Sequence, residues 1–334
     1  MEHLLVRAAR GENVERVPVW AMRQAGRWDS EFQKLRTGIG FYDFSENVEL
    51  AAKASILPVR FGVDGVILFY DITTLPVSMG LPFSLQANTG PVPATPIRTL
   101  ADVEKLEANP APQTFEHVRQ MLFRVKKDLN KSHPVLVFAG APFTVATYCI
   151  GTGKNMDATR AFAKENPVVW DALLEKLSHA TVVFLKTLIA DGASAYQLFD
   201  SWAGMLSENE YDSWAQKYHA DILGKATGIP RILFVKECPY LPHQAKTGAD
   251  IISLGKRHDL AQARKDYPHL VFQGNVDEMI LRTGTPDKVR EAVRNCLRAG
   301  GGHRHILNLN HGVDRTTPME NFAAFVDEAR NFKL

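Results

Sequence analysis

The sequence predicts a (β/α)8 TIM barrel, a single domain over residues 1–334, and three observations predict it. Short apolar, β-branched runs recur eight times along the chain, helical segments with recognisable start signals lie between them, and no Ser- or Gly-rich linker interrupts the series. Alternation of strand and helix implies a parallel sheet, and eight repeats in 334 residues favour closure into a barrel over an open doubly wound sheet.

In chain order the strand runs are Val17–Trp20, Val66–Phe69, Val135–Phe138, Ala195–Phe199, Ile232–Val235, Ile251–Leu254, Leu270–Phe272 and His305–Leu309. Each is too short for a helix and is bounded by polar or turn residues. Helix starts are marked by the capping boxes Thr99-x-x-Asp102, Ser207-x-x-Glu210 and Thr317-x-x-Glu320, in which a hydroxyl and a carboxylate satisfy each other's backbone N–H groups. Asn166-Pro167 and Thr285-Pro286 suit an N-cap followed by the first helical residue, where proline costs nothing. Pro82 to Pro96, with Pro91 and Pro93 between them, reads as a long surface loop or hairpin inserted after the second strand.

Composition narrows the class of function. With 45% apolar and 23% charged residues the chain is an ordinary globular protein, neither disordered nor fibrous. The 39 Lys and Arg nearly balance 37 Asp and Glu, so the +2 net charge supplies no broad field for nucleic acid. A pocket for a small anion needs only a few local cations and remains open. Cys149, Cys238 and Cys296 are too scattered for a disulfide framework or a Cys-x-x-Cys metal site, which suits a reducing compartment. The first residues, MEHLLVRAARGENVERVP, carry no signal-peptide pattern, and no run of ~18 apolar residues occurs, so the expectation is a cytoplasmic protein off the membrane.

Arg23, Asp71, Tyr148, Ser201 and His311 each fall at, or one short turn beyond, the C-terminal end of a different strand run. In barrels that face carries the active site, so the convergence says more than any one of these loop residues could. Met22-Arg23-Gln24-Ala25-Gly26-Arg27 sets two guanidinium forks around small residues, an arrangement suited to carboxylates; a solvated loop with surface arginines is the plainer alternative. Arg36 could equally pair with Asp29 or Asp43. Asp71 ends an apolar run, where an acid is costly unless paired or functional, and a turn or N-cap role would also account for it. Tyr148 follows the Gly140–Pro142 turn, where packing is the commoner role of a tyrosine. Ser201 lacks a surrounding G-x-S-x-G elbow, and Gly151-Thr-Gly-Lys154 lacks the spacing of a phosphate loop. His303 and His305 begin the last run and belong toward the opposite rim from His311, so no metal set is expected. Nothing in the sequence demands a cofactor.

Pro18–Arg27 and Gly140–Tyr148 resemble the two signature segments of the uroporphyrinogen decarboxylase family. The likeness continues through Asp64–Asp71, Gln197–Ser201, Gln273–Asp277 and Gly301–Gly312. The resemblance implies a cytosolic homodimeric carboxy-lyase that converts the acetate side chains of uroporphyrinogen III to methyl groups, yielding coproporphyrinogen III in haem and porphyrin biosynthesis without a cofactor. It implies that Arg23, Gln24, Ala25, Gly26, Arg27 and Arg36 grip substrate carboxylates and that Asp71, the catalytic residue, faces the pyrrole nitrogens. Tyr148, Ser201 and His311 would line the cleft. The chain departs from the family pattern at Tyr70, where Ser is common, at Asn310, where Gly is usual, at Trp28-Asp29-Ser30, and at Gly255-Lys256, where Asp-Trp is usual. These departures bear on cleft shape. Methyltransferases of the same fold use a His-x-Cys pair that this chain lacks, and a tetrapyrrole carrier would keep the arginines without needing Asp71.

Overall fold

Apolar runs such as Val-Leu-Val-Phe-Ala-Gly bury every residue, as a parallel sheet covered on both faces requires. The computed structural model describes residues 2–86 and 89–333. Its strands are β1 (Val66–Ile67), β2 (Phe83–Gln86), β3 (Gly90–Pro93), β4 (Val135–Gly140), β5 (Ala195–Asp200), β6 (Arg231–Val235), β7 (Ile251–Ser253), β8 (Val271–Gln273) and β9 (His305–Ile306). Among the described residues seven strands pair in the order β1-β4-β5-β6-β7-β8-β9, all parallel, so the sheet curls around one axis. β2 and β3 form the antiparallel hairpin within the Pro82–Pro96 insertion, whose positions 87–88 lie outside the described residues.

The first run departs from expectation. Val17–Trp20 forms no ladder strand and meets the sheet through the single parallel bridge Val19 to Leu307. Leu307 N donates to Pro18 O at 2.8 Å and Trp20 N to Leu307 O at 3.3 Å, which seats the segment as the eighth stave beside β9. Toward β1 side chains complete what the backbone cannot, since Pro18 has no N–H to give. Asp64 N donates to Val19 O at 2.7 Å, and Val19 N returns a bond to Asp64 Oδ2 at 2.8 Å. Arg16 holds the same carboxylate through both terminal nitrogens, at 2.7 and 2.6 Å. The Gln24 amide spans the join as well, accepting from Ala21 N at 3.1 Å and donating to Gly65 O at 2.9 Å.

Another short ladder is extended in the same way. β1 ends at Ile67 while β4 runs to Gly140, and past that point the Tyr70 hydroxyl accepts from Phe138 N at 2.7 Å and donates to Phe138 O. Its ring stacks on the Phe138 ring at 4.0 Å. Inside the barrel a buried polar chain joins four staves: Trp20 Nε1 donates to Gln273 Oε1, and Gln273 Nε2 donates to Gln197 Oε1, both at 2.9 Å, and to Ser253 Oγ at 3.0 Å. Each buried amide thereby has a partner, which such groups need.

Helices form the outer layer for readable reasons. Glu116–Leu129 buries Val118, Met121, Leu122, Val125 and Leu129, one face at helical spacing. Pro286–Gly300 starts behind the Thr285 cap with proline at its head and stops at Gly301, whose φ of +65° suits a residue without a Cβ. The Thr99–Asp102 and Ser207–Glu210 capping boxes form as predicted. The third does not: Pro318 takes the N-cap position of Met319–Asn331, which leaves Thr317 one residue outside and its hydroxyl buried without a partner among the described residues. Asn166 sits at its predicted cap, yet its amide turns back to Phe162 O. No helix among the described residues is long and apolar enough to cross a membrane.

Tyr70→Phe keeps the stacked ring and removes the hydroxyl that serves both backbone groups of Phe138. We expect a loss of about 1–3 kcal/mol, the cost of leaving buried polar groups unpaired. Urea unfolding measures it, and an unchanged midpoint with an unchanged slope would show that the ring alone matters there.

Candidate active site

The first stave delivers the chain to Arg23, whose φ of +57° is uncommon for a residue with a side chain. The conformation is imposed from both sides. Met22 N donates to Asn308 Oδ1 at 3.1 Å, Val313 N donates to Met22 O at 2.9 Å, and Gln24 N closes a turn on Ala21 O. A Cβ on Gly312 would fall 2.5 Å from Arg23 Cδ, so that glycine lets the arginine stem lie flat against the loop after β9. The guanidinium opens to solvent inside a crowded recess. Burial lowers its pKa, Tyr148, Asp314 and Asp71 oppose that shift, and Arg27 adds to it.

Asp71 follows β1 and turns back on its own chain. Its Oδ1 accepts from Thr73 N at 2.9 Å and from the Thr73 hydroxyl, the turn that a short acid readily makes. Burial nevertheless raises its pKa against those hydrogen bonds and against the charge of Arg23. The Tyr42 hydroxyl lies 3.2 Å from Thr73 Oγ1, and burial first, then the neighbouring Asp71, pushes it up to about 12. Sequence reasoning missed Tyr42 because it sits on the helix Phe41–Glu46, far from any strand end.

Tyr148 stands on the helix Pro142–Cys149, half-buried beside Trp202, Asp71 and Arg23, and burial raises its pKa. The buried Trp202 indole nitrogen has no hydrogen-bond partner among the described residues. Ser201 is half-buried between Trp202 and Asp200 at the end of β5. Asp200 fixes that turn: fully buried, it accepts from Thr144 Oγ1 at 2.6 Å and Ala203 N at 3.1 Å, and its Oδ2 lies 2.9 Å from His219 Nε2. His311, half-buried after β9, is pushed down to about 3 by burial and then by Arg23 and Lys236, so its imidazole is neutral. Lys236, the residue after β6, obeys the strand-end rule and was overlooked.

Asp71, Tyr148 and His311 therefore all stand around Arg23, with Asp71 and Tyr148 neighbours of each other as well. Arg27 and Arg36 line an adjoining recess of about 530 Å³ with Phe32, Gln33, Ile39, Arg315 and Thr316. Arg36 takes neither acid available to it in sequence. Asp29 is bound to Arg60, and Arg36 lies over the Phe41 ring at 5.6 Å, its pKa lowered by burial and by Arg27. Gln24 is fully buried with both ends of its amide on backbone groups, so its side chain clasps the barrel where a ligand contact was expected. Ala25 is buried, and Gly26 leaves room beside Arg23 O, which a Cβ would approach to 3.2 Å.

The family model described as "Uroporphyrinogen decarboxylase (URO-D)" matches residues 1–332. The chain belongs to the uroporphyrinogen decarboxylase family. It is 39% identical over 338 residues to the uroporphyrinogen decarboxylase of Prochlorococcus marinus (strain MIT 9303), covering 98% of this chain and 96% of that one. It is 40% identical over 333 residues to the enzyme of Synechococcus sp. (strain CC9902), covering 96% and 94%. Among solved structures, a methyltransferase from Methanosarcina mazei superposes with a TM-score of 0.83 at 20% identity over 99% of each chain, a likeness of fold alone.

The departures from the family pattern now have places. Tyr70 extends the β1–β4 join. Trp28 packs on Phe61 and Phe322, and Asp29 pairs with Arg60. Asn310 and Gly255-Lys256 meet at Glu237, whose Oε1 accepts from Asn310 Nδ2 at 3.4 Å and Lys256 N at 3.2 Å. His305, at the start of β9, is buried with Nε2 2.7 Å from Gly274 O, and no group of three His, Cys, Asp or Glu among the described residues could hold a metal.

A neutral His311 has a consequence for acid stability. The unfolded chain, with histidine near 6.5, binds a proton that the folded site refuses until about pH 3, so this contribution to stability declines as pH falls from about 6.5 toward 3. His311→Gln should lessen the acid sensitivity over that window. Histidine ring resonances followed from pH 7 to pH 5 should show His311 neutral throughout, and a midpoint near 6.5 would contradict the assigned burial.

Proposed function

We propose that the protein is a carboxy-lyase that decarboxylates the four acetate side chains of uroporphyrinogen III to methyl groups, giving coproporphyrinogen III for haem and porphyrin biosynthesis. Membership of the family supports the reaction. The observation that carries the site assignment is a poorly solvated carboxylate, Asp71, beside the Arg23 guanidinium at the C-terminal mouth of a barrel.

Protonation of a pyrrole ring carbon makes the ring an electron sink. The bond to the departing carboxylate then breaks, its electrons return to the ring, carbon dioxide leaves, the resulting methylene takes up a proton to become methyl, and the ring carbon gives back the proton it first took, so each acetate consumes one proton and releases one carbon dioxide. A cationic ring stands between these steps. Asp71, held by Thr73 and short of solvation, is placed to accept the pyrrole N–H groups and to stabilise that cation. Substrate binding thus supplies what burial denies the carboxylate. Arg23, Arg27 and Arg36 offer planar donors to the substrate carboxylates; the Tyr148 phenol and the neutral His311 ring shape the mouth without adding charge. The assignment of these roles rests on their convergence and on the family resemblance. We also place the protein in the cytosol as a homodimer of one-domain chains spanning residues 1–334, a reading that the three free cysteines and the family suit.

Asp71→Asn should fold and bind product yet lose roughly a hundredfold or more in kcat, since a neutral amide cannot offset the cationic ring. Single-turnover conversion of uroporphyrinogen III under anaerobic conditions, with circular dichroism for folding, measures it. Wild-type turnover by the variant would defeat the mechanism, and it is what a carrier would show if it turned over at all. Arg23→Lys should raise KM, because an ammonium cannot reproduce a bidentate fork on a carboxylate; an unmoved KM would remove Arg23 from the binding set.

A further inference from the structure

We propose that Arg315 is a substrate-binding residue, the third guanidinium of a recess that takes carboxylate-bearing side chains of the macrocycle away from the ring that reacts. The proposal rests on the decarboxylase reading for the identity of the ligand. Its own ground is geometric.

Three of the residues around the 530 Å³ recess are arginines, and they arrive from three segments: Arg27 from the loop after the first stave, Arg36 from the helix Ser30–Arg36, and Arg315 from the loop after β9. None of the three makes an ion pair or a side-chain hydrogen bond among the described residues, whereas Arg16, Arg60, Arg119 and Arg231 each hold a carboxylate. The acid next in sequence to Arg315 is already engaged. Asp314 Oδ1 accepts from Thr316 N at 2.8 Å and Thr316 Oγ1 at 2.6 Å, and Arg282 stands 3.7 Å from the same oxygen. That turn fixes the chain on both sides of Arg315.

Clustered guanidiniums repel, and burial first, then Arg27, lowers the pKa of Arg36. Bound carboxylates would relieve that repulsion. Phe32 and Ile39 add apolar wall, so an anion entering the recess exchanges water for fixed donors in a setting less polar than solvent. The recess is linked to the chemistry through Arg23. Gly312 lies flat on the Arg23 stem, so the loop that presents Arg315 is packed against the residue beside Asp71, and Arg27 is a charged neighbour of Arg23. A substrate with eight carboxylates presents several of them at any orientation that brings one ring to Asp71. Three unpaired cations to one side of that ring match this need.

The test separates binding from turnover by using uroporphyrin III, an oxidised, unreactive macrocycle that carries the same carboxylates. Fluorescence titration should show Arg315→Ala weakening its affinity about tenfold, at the low end for one charge-assisted contact because the recess is open, and Arg315→Glu weakening it further. The gap between native protein and the Ala variant should narrow as salt is raised from about 0.05 to about 0.5 M, a response that a merely structural role would not give. Affinities of both variants within twofold of native overturn the proposal, as does a native protein that fails to bind uroporphyrin. Native binding of uroporphyrin without conversion of uroporphyrinogen would instead defeat the decarboxylase reading and leave the role of Arg315 to be judged on the titration.

Discussion

The closure of the barrel hangs on one carboxylate. Asp64 donates its backbone N–H to Val19 O and accepts from Val19 N at its Oδ2, so a single residue performs on one side of the first stave what a strand would otherwise do. Arg16 neutralises it through two short bonds, and with the two side chains only 22% and 10% exposed the triad is shielded enough to contribute up to a few kcal/mol. The arginine side of the mouth inherits its position from this seam. The stave held there runs directly into Met22 and Arg23, the Gln24 amide crosses the same join to Gly65, and the loop carrying His311 and Gly312 packs against the result. Were the first stave to slip by one residue, the Arg23 fork would face the wall and not the cleft.

A second constraint follows from how the mouth is lined. Burial pushes the carboxyl of Asp71 and the phenol of Tyr148 up and the groups of Arg23 and His311 down, in each case toward the neutral form. The opposing attraction between Asp71 and Arg23 is present but does not prevail. Charges in this state are short of partners, and interactions made with them are worth more than in water. The ligand that suits such a site brings both kinds of partner: anions for the arginine and N–H donors, with a developing cation, for the acid. A reduced tetrapyrrole polycarboxylate does so, which is why the electrostatics and the family point to one chemistry.

Much of the candidate site follows the strand-end rule. Arg23, Asp71, Tyr148 and His311 follow four different staves, and the last three stand around Arg23. Lys236 obeys the same rule and could have been found by it. Tyr42 and Arg315 could not, since one stands on a short helix before the second stave and the other in a loop with no apolar period to set its direction. His219, on the helix Lys217–Lys225, meets Asp200 at the end of β5, a contact with no local signature. Two local features have one cause. Val17–Trp20 joins the sheet through a single bridge and completes its other side through Asp64, and the Gln24 amide is spent on backbone: side-chain bonds to distant main chain leave no periodicity to read. Thr317 failed because tertiary packing buried it one residue before the helix it was expected to cap.

The departures from the family pattern are best understood as a set. Glu237 adopts a φ of +47° at the end of β6, and its carboxylate is held by Asn310 and by the backbone of Lys256. A Cβ at Gly255 would stand 3.0 Å from Glu237 Oε1 and 3.2 Å from its Cα, so the aspartate that resemblance leads one to expect at 255 would fit tightly and require Glu237 to give by a few tenths of an ångström. Asn310, in turn, does two things that the glycine common there could not: it donates to Glu237 and accepts from Glu278 N at 2.9 Å. Each of the three positions makes sense only in the presence of the others, and residues in contact through one carboxylate do not change independently. Reverting Asn310 alone would strip a donor from Glu237, whose other oxygen has no hydrogen bond among the described residues and only Arg257 at 3.9 Å, and restoring an aspartate at 255 alone would set a second acid against the first. This corner of the barrel rim is therefore one contact set in which a change at any of these positions is felt at Glu237.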